Sequence, residues 1–193
     1  KPYTALVKNK ITPLLFHNTV TGKNISLVVR QEDAKKALHV IHGQIFGISK
    51  KINLAIFGHG LVGGTLIDQV LASATAIAAK KNIALHIFAI GNSKKVWFTE
   101  TGITANWRQE VAQEGVPYTI EEVISFAKDH HLENLIAIDN TASQAFIEHY
   151  IPLVQHGFDL ISSNKIANTV SYDFYKTLRK ELKANHKEYL YET

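Results

Sequence analysis

Neither cysteine nor methionine occurs anywhere in the 193 residues. Without cysteine there is no disulfide and no thiolate zinc site, which is compatible with a reducing cytoplasm, the expected compartment. Even a starting methionine is missing, and the opening KPYTALVKNK reads like the middle of something, so the chain is expected to be a fragment of a longer protein. No uninterrupted apolar run approaches the roughly 18 to 20 residues of a membrane span, and no apolar core follows the first lysines as in a signal peptide, so no membrane partner is expected. Long runs of one charge sign are also missing. The formal net charge is +4, but the largest basic clusters are the pairs Lys50-Lys51 and Lys94-Lys95. A nucleic-acid surface needs a stripe of Lys and Arg with stacking aromatics, so no nucleic-acid partner is expected.

The residues that are present divide into two parts. Residues 1–48 hold two short β-rich stretches, KITPLLFHN and NISLVVR, on either side of the turn-forming TVTGKN, then a helical pattern in QEDAKKALHVIHGQIFG. Its apolar residues are Ala34, Ala37 or Leu38, Ile41 and Ile45, with Glu32 and Asp33 in the first turn and Gly47 after the end. Two strands and one helix are too few for a closed core, so this unit is incomplete or leans on a partner. From Ile52 onward apolar strands alternate with helices: INLAIF, a helix over 61–80, ALHIFAI, short helices in ITANWRQEVAQEG and TIEEVISFAKDH, NLIAIDN, a helix over 143–155 bent by Pro152, FDLISS, a helix over 172–187, and EYLYE. Thr119 and Glu122 have capping-box spacing. Such alternation predicts an α/β fold with a doubly wound parallel sheet of the Rossmann type over 49–193.

The first strand runs into Gly58-His59-Gly60-Leu61-Val62-Gly63, which fits G-x-G-x-x-G with a strand before it and a helix after it. The first glycine permits a tight turn, the second lets backbone approach a pyrophosphate, and the third lets helix and strand pack closely. The helix N-terminus then presents free N–H groups to phosphate. The alternative is a glycine turn that serves packing only. His59 is expected to face solvent without a chemical role. NAD enzymes usually place an acid at the end of the second strand, to bind the ribose 2′-hydroxyl. Here that strand runs into Asn92, Ser93, Lys94 and Lys95, which favours NADP(H) over NAD(H), unless both lysines are merely solvated. Two later strand ends are unusually polar, IAIDNTAS with Asn140, Thr141 and Ala142, and LISSNKIANT with Ser162, Ser163 and Lys165. Helix capping is the competing role for Asn140 and Thr141, and a plain surface charge for Lys165. His39 and His42 share a helix face, but no third metal ligand is evident.

Four of these segments, FGHGLVGGTL, DNTASQ, GFDLISSNKIANT and YLYET, stand in an order and at spacings that closely resemble the cofactor domain of homoserine dehydrogenases. NISLVVRQEDAKKALHVIHGQIFG resembles the end of an ACT regulatory domain, as in bifunctional aspartokinase/homoserine dehydrogenases. The resemblance implies interconversion of aspartate 4-semialdehyde and homoserine with NAD(P)H, on the route to threonine, isoleucine and methionine. It further implies a homo-oligomer with small-molecule substrates, and threonine is the usual effector in the family. Gly58, Gly60, Leu61, Val62 and Gly63 would hold the pyrophosphate. Asn140, Thr141 and Ala142 would lie beside the nicotinamide half, with Ala142 replacing a serine frequent in the family. Ser162, Ser163 and Lys165 match the family's lysine motif, with Lys165 as an accessory catalytic group. Glu192 matches an acid that helps bind a monovalent cation, Na+ or K+. The family's substrate domain and its main catalytic lysine would follow YLYET. A non-enzymatic NAD(P)-sensing domain and an oxidoreductase of another class remain the alternatives.

Overall fold

The computed structural model describes residues 2–19, 25–46 and 50–191. The first part begins with a helix that the sequence pattern does not suggest, α1 (Pro2–Lys8). Strands β1 (Leu15–Asn18) and β2 (Ile25–Val28) pair antiparallel, and a 3₁₀ turn at Gln31–Asp33 leads into α2 (Ala34–Phe46). Leu6, Ile11, Ala37 and Val40 form a small core of their own. Of the two candidates for the inner face of α2, Ala37 is buried and Leu38 exposed. Gly47, the expected helix stop, lies outside the described residues, as does Glu192.

The second part is a seven-stranded sheet in the order β6-β5-β4-β3-β7-β8-β9. Its parallel body consists of β3 (Lys50–Phe57), β4 (Ile83–Gly91), β7 (Leu135–Asp139), β8 (Phe158–Ser162) and β9 (Tyr189–Tyr191). The chain leaves β3 toward β4 on one side and later returns to β7 on the other. The reversal places a crevice at the carboxyl end of β3, where open α/β sheets bind ligands. Two strands depart from the expected parallel pattern. After β4 the chain turns back as β5 (Lys95–Phe98), antiparallel to β4, and β6 (Val116–Pro117) pairs antiparallel with β5. The sheet is therefore mixed at one edge.

Both faces are covered, as the continuous apolar strands require. On one face α3 (Leu61–Lys81) and α4 (Trp107–Glu114) pack Ile67, Trp107 and Val111 on Leu54, Ile56, Ile87 and Ile90. On the other, α5 (Ile120–Asp129), α6 (Tyr150–Gln155) and α7 (Tyr172–Ala184) cover Ala55, Phe57, Phe88 and Leu160. The alternation of Leu54 and Ile56 with Ala55 and Phe57 is the period of two of a strand. Among the described residues, α3 is the one helix long and apolar enough to cross a membrane, with 21 residues and mean hydropathy 1.4. Thr65, Asp68 and Gln69 interrupt its apolar residues, so it contains no long uninterrupted apolar run. Gly63, Gly64 and Ile67 are its buried residues.

The segment before β8 is not one helix bent by proline. A 3₁₀ turn at Ala145–His149 is followed by α6, and Pro152 lies in the first turn of α6, where a helix needs no N–H donor. The Thr119–Glu122 capping box is present in both directions at the start of α5.

Candidate cofactor site

The three glycines of the turn are constrained differently. Gly58 has φ +83°, and a Cβ there would lie 2.7 Å from the backbone of Asn140. A Cβ on Gly63 would lie 1.8 Å from the Gly58 carbonyl oxygen, so the third glycine admits the turn itself against the helix. Gly60 differs, because a Cβ there meets nothing within 4 Å. Nothing in the fold demands glycine at this position, which leaves room for close approach from outside. Gly60 is also the N-cap of α3 and supplies no side-chain cap. The first N–H groups of a 21-residue helix and its positive dipole end therefore face outward beside exposed Leu61 and Val62. Asn140 Nδ2 is buried without a hydrogen-bond partner, and Asn140 Cβ would be 3.3 Å from a Cβ on Gly63. An unmet donor beside free helix N–H groups fits an anionic group such as a pyrophosphate.

A cavity of about 820 Å³ opens from this turn. Its walls are Gly58, His59 and Gly60, the β4 end at Asn92 and Ser93, residues 118–121 before and within α5, and Thr141, Ala142 and Ser143 after β7, with Ala145, Phe146 and His149. Leu61, Val62 and Asn140 line an adjoining depression. Lys94 and Lys95 are in neither wall. Asn92 Oδ1 accepts their two backbone N–H groups at 2.8 and 2.9 Å, and Lys95 opens β5 opposite Pro117. The same carboxamide directs its Nδ2 toward His59 Nε2 at 3.3 Å. His59 is thus not a solvent-facing loop residue. It is half-buried in the cavity wall, edge-on to Trp107 with ring centres 6.1 Å apart. The parallel pairing of β3 with β4, which sets Phe57 opposite Gly91, brings Asn92 to it, so no local signal in the sequence marks the contact. Tyr118 donates to the Asn92 carbonyl at 2.9 Å and stacks on Phe57. Burial, then the charge of Asp139, pushes its hydroxyl up to about 12.

Beneath the Thr141 side of the cavity lies a polar network that the sequence does not announce. Asp139, at the end of β7, is 3% exposed. Its Oδ1 accepts the Thr141 N–H at 2.8 Å, and its Oδ2 accepts the Tyr150 hydroxyl at 2.6 Å and Asn164 Nδ2 at 3.0 Å. Tyr150 also lies 2.8 Å from Ser162 Oγ, and burial followed by the Asp139 charge raises its hydroxyl far above the ordinary tyrosine value. Asn164 Nδ2 reaches the Ser143 carbonyl at 3.0 Å, and its Oδ1 caps the 3₁₀ turn at Lys165–Asn168. The loops after β7 and β8 are therefore tied to each other from below. Ser162, expected at the cofactor, is 3% exposed and belongs to this network instead. Ser163 is half-buried and bonds Asn140 Oδ1 at 3.1 Å, while Lys165 is exposed at the start of its turn. Neither lines the cavity walls.

Residues 58–192 match the homoserine dehydrogenase NAD-binding domain family. The whole chain is 32% identical to a bifunctional aspartokinase/homoserine dehydrogenase of Buchnera aphidicola, covering 24% of that protein. A Haemophilus influenzae protein of the same name is 30% identical over 99% of the chain, which covers 23% of it. The chain thus spans about a quarter of the length of these relatives. Solved structures share the fold. Homoserine dehydrogenase from Thermoplasma acidophilum aligns with a TM-score of 0.58 over 74% of this chain and 43% of its own, at 15% identity. A hyperthermophilic archaeal homoserine dehydrogenase in complex with NADPH aligns with the same score over 74% of this chain and 44% of its own, at 18% identity. With its glycine turn, crevice and strand order in place, the chain belongs to the family of homoserine dehydrogenase NAD-binding domains.

Proposed function

We propose that this chain is the cofactor-binding part of an enzyme that interconverts aspartate 4-semialdehyde and homoserine with NAD(P)H, within a protein that also carries an aspartokinase. The observation that carries the reading is the Gly60 turn, open at its Cβ, set at the N-terminus of α3 beside the unmet Asn140 donor. The nicotinamide would supply or accept the hydride. The chain's own part is to hold the pyrophosphate at Gly58–Gly63, to orient the nicotinamide half along Thr141 and Ala142, and to exclude water there. Lys165 is assigned an accessory electrostatic role toward the substrate oxygen. Residues 1–48 are assigned to a regulatory ACT-like unit, Glu192 to a monovalent cation, and the whole protein to a cytoplasmic homo-oligomer.

NADP(H) is proposed as the preferred cofactor. The β4 end offers the donors Asn92 Nδ2 and Ser93 and no acid, which suits a 2′-phosphate better than a ribose diol. Glu121 is the one carboxylate in the cavity wall and opposes this preference. Titrating NADPH and NADH against the full-length protein tests it: NADPH should bind more tightly, and Lys94→Ala with Lys95→Ala should narrow the gap. Equal affinities in the unaltered protein would refute the preference. Gly60→Val tests the site itself. It should fold normally, since a Cβ there meets nothing within 4 Å, and lose nucleotide binding; a folded variant that binds NADPH normally would reduce the turn to packing. Lys165→Ala should lower turnover by roughly ten- to a thousand-fold, the range for loss of one electrostatic contact at a reacting oxygen. Semialdehyde-dependent NADPH oxidation measures it.

A further inference from the structure

We infer that Asp139 adds negative charge beneath the Thr141 side of the cofactor cavity, so that the site favours the positively charged oxidised nicotinamide ring over the neutral reduced one. The inference rests on the cavity being the cofactor site. Asp139 is buried, and every hydrogen-bond contact to its two oxygens comes from a group that can donate: the Thr141 N–H, the Tyr150 hydroxyl and the Asn164 amide. All three contacts use the carboxylate purely as an acceptor. Among the described residues none forms an ion pair with it, so its charge is stabilised by neutral dipoles and not cancelled by a cation. Thr141, bonded directly to Asp139 Oδ1, lines the cavity. The field also reaches Tyr118 in the same wall, where the Asp139 charge adds to burial in holding back ionisation of the hydroxyl. Lys165 is the charged side chain nearest in sequence to Asn164, but it is exposed, where solvent screens it.

A purely structural role for Asp139, tying together the loops after β7 and β8, predicts something different. Loosening those loops weakens both cofactor forms together, whereas removing a charge weakens chiefly the cationic form. Asp139→Asn keeps the size of the side chain; it loses the contact from Asn164 Nδ2, a loss that weakens both cofactor forms alike. The Tyr150 hydroxyl can rotate to accept from the new amide, because Ser162 Oγ lies 2.8 Å away to take its proton. Tyr150→Phe keeps the charge and removes one tie.

The experiment measures dissociation constants of NADP+ and NADPH by calorimetric titration for the full-length protein and both variants. For Asp139→Asn, the ratio of the oxidised to the reduced constant should rise by about tenfold, the scale of a unit charge acting across one intervening residue in a partly buried site. For Tyr150→Phe, both constants should rise while their ratio stays within about twofold. An unchanged ratio in Asp139→Asn overturns the inference, and so does a ratio that shifts in Tyr150→Phe. If Asp139→Asn does not fold, Asp139→Ser removes the same charge, and its ratio should rise likewise; an unchanged ratio there overturns the inference. If the unaltered protein binds neither form, the cofactor reading fails and the inference falls with it.

Discussion

The two ends of the seven-stranded sheet both bury polar side chains, and they use them in opposite ways. At the amino end, Asn53 is 1% exposed and donates from Nδ2 to the Glu133 carbonyl at 2.5 Å. His86 pairs through Nδ1 with Asn53 Oδ1 at 2.8 Å and through Nε2 with the Glu100 carbonyl at 3.1 Å. Asn9, just after α1, accepts the Asn134 N–H at 2.7 Å and so fastens the first part of the chain to the start of β7. Burial pushes the titratable groups here toward neutrality: His86 and Lys187 are lowered and Glu133 is raised. At the carboxyl end, Asp139 instead collects three donors, and beside it Asn140 Nδ2 has no partner and the start of α3 has no side-chain cap. At the amino end the buried polar groups chiefly join pieces of chain, and Lys187 keeps an ion pair with Asp159. At the carboxyl end the donors gather on one carboxylate.

Either end of the sheet can be perturbed by substitution, and the largest effect is expected at the carboxyl end. Gly63→Val forces a side chain into the Gly58 carbonyl, and the unfolding free energy should fall by about 3 kcal/mol, with nucleotide binding lost as well. Denaturant titration with and without NADPH measures both, and near-native stability would mean the turn relaxes easily. Asn9→Ala acts at the amino end. It leaves the Asn134 N–H without its acceptor and should cost about 2 kcal/mol of stability with no change in NADPH affinity. A loss of affinity in that variant would show the two ends to be coupled along β7. Thr119→Ala removes half of the capping box of α5 and should cost about 1 kcal/mol in the same denaturation assay.

The smallest effect is a pH dependence at His86. Burial first, then Lys51, lowers its folded-state value below the ordinary 6.5, against a weaker pull from the Glu100 carbonyl. As pH falls through about 6.5 the unfolded chain takes up a proton that the folded protein still refuses. The His86 contribution to stability is therefore full above that pH and declines below it. Unfolding curves at pH 7.5 and 5.5 should differ less for His86→Leu than for the unaltered protein. Equal pH dependence in both would assign the effect to other groups.

Local chemistry alone determined much of this chain. The strand, glycine turn and helix around Gly58, the buried face of α3 at Ile67 and the capping box at Thr119 all depend on residues within a few positions of one another, so their spacing is readable directly. The turn into β5 is local too, since Asn92 Oδ1 accepts from Lys94 and Lys95, but the placing of β5 between β4 and β6 was decided by tertiary structure. The same holds for the positions of the candidate site residues. His59 meets Asn92 because β3 and β4 lie side by side, and Ser162 leaves the cavity because Tyr150 and Asn164 claim it from below. Hydrogen-bonding side chains choose partners by distance in space, and the sheet, by setting β7 beside β3 and β8, determines which of them meet.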